Sequence, residues 1–207
     1  MGIVHRATLS PSKQEIVEAW LQTRTWPTGK VVAEKLAEYR YDDPDGEVGV
    51  ETILWRCDDG AVVQTPLTYR AAPLAGAEDH LITTTQHSVL GERWVYDGCG
   101  DPVWARTLVT GILTGARQSQ MFLEQDGERV DIPARMQVRG SGSGTSAPPV
   151  ASIDEVTDDG NLTVVRAGDT EIALARVLGT PLGEGPHLLG RVGHRGETTV
   201  LAVLRTH

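Results

Sequence analysis

The side chains with the widest chemical repertoire in this sequence are six histidines, two cysteines and the charged run Glu78-Asp79-His80. His5, His80, His87, His187, His194 and His207 form neither an HxH nor an HExxH pattern, the spacings that turn two imidazoles toward one metal ion. Cys57 and Cys99 lie outside any CxxC, which removes an all-thiolate zinc site and a disulfide framework and leaves two thiols expected to be reduced. The 78–80 run sits among small residues and reads as surface charge, so no metal site and no cofactor site is expected. No GxSxG marks a nucleophile elbow. Gly140-Ser141-Gly142-Ser143-Gly144 offers backbone amides but lacks both a P-loop lysine and GxGxxG spacing, and is expected to be a flexible loop. Two residue sets keep chemical interest. His87 with Asp97 or Glu92 has the types needed for general acid–base work, provided the fold brings them within hydrogen-bond reach. Trp26 beside Pro27, and Trp94 beside Arg93, carry rings suited to stacking on a sugar or anchoring a protein.

These side chains need elements to position them. The chain has 207 residues with 28 acidic against 19 basic, a formal charge of -9, so it suits one compact domain or two small ones sharing a core. Its only lysines are Lys13, Lys30 and Lys35, and an acidic chain with no basic cluster makes nucleic acid an unsuitable partner. No apolar run approaches a membrane span and the N-terminus has no secretory pattern, so a cytoplasmic location is expected. Ser12 and Glu15 are spaced as a capping box before Ile16, Val17, Trp20 and Leu21, which predicts an amphipathic helix over 12–23, ended by a turn at 25–29. Turn signals at 42–46 and 58–60 divide strand-like runs. Asp59-Gly60 pairs 47–57 with 61–70, placing Val48, Val50, Thr52 and Leu54 on one face. A strand over 81–90 and a short one over 93–96 follow, and then a helix with Asp101 as N-cap, Pro102 at N1, a Trp104, Leu108, Ile112 stripe and Gly115 as its end. Trp20 and Trp104 belong to the core on this reading. Beyond it come hairpin signals at 125–128 and 166–170, strands at 162–165, 171–178 and 199–204, and a Gly/Pro loop over 179–190. The class is α+β: a curved antiparallel sheet with two helices over 1–118, then a smaller antiparallel β unit over 119–207 with a Gly/Ser/Pro loop at 140–149.

Four runs resemble a known family. They are His5-Arg6-Ala7-Thr8-Leu9-Ser10-Pro11-Ser12-Lys13 with Ala19-Trp20-Leu21 and Trp26, the stretch from Asp42 to Glu51, the stretch from Pro66 to Leu74, and the stretch from His87 to Gly98. Together they resemble the actinobacterial maltokinase N-terminal cap-like proteins, the run from His87 to Gly98 being the most specific. In maltokinases such a cap precedes a kinase that phosphorylates maltose with ATP in the trehalose-to-glucan route. The resemblance implies a curved sheet carrying helices; it does not imply phosphotransfer.

Phosphoryl transfer needs a lysine on a strand for the nucleotide phosphates, a catalytic Asp and metal-binding Asn and Asp. The stretch 163–178 faintly resembles the first strands of such a kinase, yet no lysine stands near Leu174 or Ala175 and no HxDxxxxN loop follows. The sequence therefore predicts no autonomous kinase and no enzyme. It predicts a non-catalytic binding or regulatory module, with a protein partner of α-glucan or trehalose metabolism or a saccharide held at Trp26, Tyr69, Arg70, His87, Arg93, Trp94 and Tyr96. The competing readings are a small enzyme using His87 with a nearby carboxylate, a subunit completing a kinase in trans, and plain packing of aromatic residues in strands.

Overall fold

The computed structural model describes residues 2–4, 8–26, 31–125, 128–193 and 196–206. Residues 27–29 of the turn expected over 25–29, Lys30, His5, His194, His207 and the hairpin tip 126–127 lie outside the described residues. Along the chain run β1 (Gly2–Val4), β2 (Leu9–Ser10), α1 (Lys13–Leu21), β3 (Val32–Arg40), β4 (Gly49–Cys57), β5 (Val62–Arg70), β6 (Leu81–His87), β7 (Gly91–Asp97) and α2 (Pro102–Thr114). The remainder is strand: β8 (Met121–Gln125), β9 (Glu128–Asp131), β10 (Met136–Gly140), β11 (Glu155–Asp159), β12 (Leu162–Ala167), β13 (Thr170–Ala175), β14 (His187–Val192) and β15 (Thr198–Thr206).

Both helices begin where local chemistry starts them. Ser12 accepts from the Glu15 amide while the Ser12 amide donates to the Glu15 carboxylate at 2.8 Å, satisfying two of the first-turn donors of α1. Asp101 caps α2 ahead of Pro102, and Gly115 closes it in the left-handed region at φ 66°.

Six strands, in the order β2-β6-β7-β5-β4-β3, form the first antiparallel sheet. Ile53, Trp55, Val63, Leu67 and Val95 pack under α1. On the other face Tyr39, Val48, Val50 and Leu54 share a core with Trp104, Leu108 and Ile112 of α2 and with Met136, Val138, Ile172, Leu174 and Leu201. The face expected for Val48, Val50, Thr52 and Leu54 forms, and α1 covers the opposite one, so Glu51 through Trp55 are all buried. Trp20 and Trp104 are core residues as expected, 7% and 2% exposed.

The C-terminal unit, though shorter in residues, has as many strands in its main sheet as the first. It is a second six-stranded sheet, β10-β14-β15-β13-β12-β11, and a third sheet, β1-β8-β9, joins a strand from the first few residues to the 121–131 hairpin in parallel with β8. β14 occupies the stretch expected to be a Gly/Pro loop, and β10 and β11 were also unanticipated. Gly190 lies inside β14 because the backbone there runs against Leu201 and Met136; an added Cβ would stand 2.6 Å from Leu201 Cδ1.

The two large sheets are joined through their backbones. β7 accompanies β5 only from Leu67 to Arg70, and the vacant side of β5 is taken by residues 176–178. There the Gln64 amide donates to the Arg176 carbonyl and the Leu178 amide to the Val62 carbonyl, at 2.8 and 2.9 Å. Gln64 adds a side-chain clasp: its Nε2 donates to the carbonyls of Ala175 and Leu201, and Tyr39 donates to its Oε1.

The Gly/Ser run is docked rather than flexible. The amides of Gly140, Gly142 and Gly144 donate to the carbonyls of Ala116, Ile112 and Leu113, the last two supplying the final turn of α2 with donors. A Cβ at Gly142 would lie 2.0 Å from the Leu113 carbonyl oxygen, so the approach requires glycine.

Candidate functional site

Strand alternation divides the seven residues expected to form one surface. The register places Tyr69, Arg93 and His87 with Val95 on the α1 side of the first sheet, and Arg70, Trp94 and Tyr96 with Thr68 on the α2 side. Trp26, which follows α1, belongs to the core on the α1 side. It is 1% exposed and packs edge-on against Trp20, with ring centroids 5.3 Å apart. Tyr96 is also interior, and its hydroxyl accepts from the Leu74 amide at 2.8 Å to hold the 71–77 loop.

Arg70 grips Asp101 with a two-pronged fork, 2.7 Å on each prong, and the same carboxylate accepts from Thr68 and from the Val103 amide. Asp101 thereby welds β5 to the start of α2. Arg93 donates to the Glu92 carbonyl, and Trp94 stands half-buried between Arg70 and Thr84 on its flanking strands.

The acid–base pairing of His87 with Asp97 does not form. His87 lies opposite Gly91, at one end of β7, while Asp97 closes the other end six residues on, about 20 Å away at strand rise. His87 Nδ1 accepts from the amides of Val89 and Leu90, which makes the ring a cap for the turn between β6 and β7. Asp97 instead takes Nη2 of Arg176 at 2.6 Å, the Nε of which donates to Thr163.

Arg176 is the most demanding residue in the structure, a guanidinium 1% exposed. Burial alone would lower its basicity; the Asp97 carboxylate and its neighbours overturn that and keep it charged. Its Cζ stands 4.7 Å from the Trp26 ring and 5.5 Å from the Trp20 ring. Nη1, which has no hydrogen-bond partner, belongs to a cation held against two indole faces. Arg176 thus ties the end of β13 to α1, Trp26 and β7 at once.

A second charged cluster was missed by sequence reasoning. Glu51, 3% exposed, accepts from Lys13 of α1 at 2.7 Å and from the Tyr69 hydroxyl at 3.1 Å, and pairs across the strands with Arg40. Burial by itself would raise the Glu51 carboxyl, but Lys13 and Arg40 override it and hold it down at about 2. A carboxylate inside the otherwise uncharged run 48–55 was the available signal.

The thiols are poor nucleophiles. Burial, helped by Asp59 and Asp58, pushes Cys57 up to about 11, and burial pushes Cys99 up as well. Both are free and buried. Among the described residues no group of three or more His, Cys, Asp or Glu is placed to hold a metal ion, and no helix is long and apolar enough to cross a membrane. A narrow crevice between α2 and β3–β4, lined by Tyr39, Tyr41, Thr52 and Trp104, is too tight to admit a water molecule.

No curated protein matches the chain. Residues 20–101 match the family model described as the maltokinase N-terminal cap domain. The match begins within α1, covers β3 to β7 and ends on the Asp101 cap of α2, so the quoted run from His5 to Lys13 lies ahead of it. Over those residues, the heart of the two-faced first sheet, the chain carries the sequence pattern of the maltokinase N-terminal cap domain.

Proposed function

We propose that this protein is a non-catalytic cap module of the cytoplasm that works alongside a maltokinase-type kinase, as a binding or regulatory component of maltose, trehalose or α-glucan metabolism. The observation that carries this reading is the family match over 20–101, which coincides with the sheet positioned by α1 and α2. Three features of the site support its non-catalytic part. The candidate residues face two opposite sides of a sheet, His87 and Asp97 serve a turn and a buried ion pair, and Leu174 and Ala175 are filled with core contacts.

The test uses the full chain with a purified maltokinase-type kinase. Titration calorimetry is expected to show saturable binding to the kinase, or to maltose, trehalose or a short α-glucan, and the chain alone is expected to transfer no phosphate from ATP to maltose. Phosphate transfer by the chain alone overturns the non-catalytic reading. Absence of binding to the kinase and to every saccharide, checked by thermal shift, overturns the cap-module reading.

A further inference from the structure

Glu38 and Glu51 lie on the α1 side of the β3–β4 pair. Arg40 opposes Glu51 and Glu38 opposes Ile53, which makes the two glutamates diagonal neighbours on one face, within reach of each other. Their charged surroundings come from three elements. Lys13 reaches Glu51 from α1 at 2.7 Å, Lys35 and Arg40 stand on β3 with the Lys35 ammonium 2.5 Å from Glu38, and the Tyr69 hydroxyl arrives from β5. The Glu51 side chain is 4% exposed and that of Glu38 25%.

Two carboxylates that are diagonal neighbours on one face ionise together only at a cost, and the surroundings decide which one keeps the charge. Glu51 has Lys13, Arg40 and Tyr69 committed to it. Glu38 has one surface lysine, is desolvated, and meets the Glu51 charge; these raise its carboxyl above the usual range against the pull of Lys35.

We propose that Glu38 is a proton-operated selector at this sheet edge: with a proton taken from solvent it donates to Glu51 and releases Lys35, and without that proton it returns to Lys35. The proton resides on a Glu38 oxygen directed at the Glu51 carboxylate, and no other bond is made or broken. In mild acid the outer strand β3 therefore presents an unpaired lysine, and the cluster carries one more positive charge. This goes beyond the cap-module reading and does not depend on it.

The full chain, carbon-13 labelled at glutamate, is titrated by NMR across the carboxylate range, from about pH 3 to about pH 8. The Glu38 carboxyl is expected to titrate above a glutamate in an unstructured peptide. Lys35→Met is expected to raise that midpoint and Glu51→Gln to lower it, each by about one pH unit. Opposite responses distinguish a selector from an acid that is merely buried, which neither variant would move. Should Glu51→Gln fail to melt cooperatively, Tyr69→Phe replaces it; removing a donor from Glu51 strengthens its pull on the Glu38 proton and raises the midpoint. A Glu38 midpoint at or below the peptide value, or one that ignores Lys35→Met, overturns the proposal.

Discussion

The two large sheets have the same number of strands and differ in how their middle strands meet solvent. In the first, β4 and β5 are interior on both faces, one closed by α1 and the other shared with α2 and with residues from the second sheet, while the flanking β6 is largely exposed. The second is one-sided at its flanks, where β10 alternates strictly between buried and exposed and most of β11 is open. Only its middle strands have cover on the outside, where Leu182 lies over Ala173, Ala175 and Val203. The difference teaches that the stretch matching the cap family is the filling of this protein, not a lid on it. Its inner face, and half the ladder of β5, are completed by residues beyond 135.

The strongest challenge to that contrast is to remove the cover. A chain ending at residue 118 would expose the inner face of the first sheet and leave the amide and the Nε2 of Gln64 without partners. It is expected to show no cooperative melting and no dispersed amide spectrum, and a cooperative melt would mean that the first sheet stands alone. Next in size is Arg176→Met, which leaves Asp97 buried without its cation; chemical denaturation should show a loss of about 3–5 kcal/mol, partly recovered when Asp97→Asn is added. Acid unfolding comes third. Glu51 is held near 2 against an ordinary 4.5, so its contribution is complete above 4.5 and is lost as pH falls from there toward 2; Glu51→Gln should flatten that part of the stability–pH curve. The smallest effect is expected of Ser12→Ala, which removes the cap of α1 on the outer face and should cost about 1 kcal/mol in the same measurement. A much larger loss would show that α1 does more than cover its side of the sheet.

Much of the first half was legible because its signals are local. The Ser12–Glu15 box, the Asp59-Gly60 turn and the Asp101-Pro102 to Gly115 frame each depend on residues a few positions apart, and each forms as read. Strand β14 was not legible, since Pro186 and Gly190 look like loop residues until Leu201 and Met136 are brought against the backbone. The site suffered in the same way. Alternation says that Arg70 and Arg93 face opposite ways only once the register of β5 and β7 is known. The partner of Asp97 lies 79 positions away, beyond any spacing argument. His87 reads as an acid–base residue by type, but its role as a turn cap depends on amides that only the folded turn supplies.

The Gly140, Gly142 and Gly144 contacts carry a consequence for how the molecule resists attack. A glycine–serine stretch of this composition would ordinarily be the place where a protease enters and where amide protons exchange first. Here the amides are committed to the carbonyls at the tail of α2, so the stretch opens only when that helix end loosens. Its protection from cleavage and exchange is therefore a gauge of the seam between the two halves, and the connection that looks weakest in composition is tied to the end of the helix it touches.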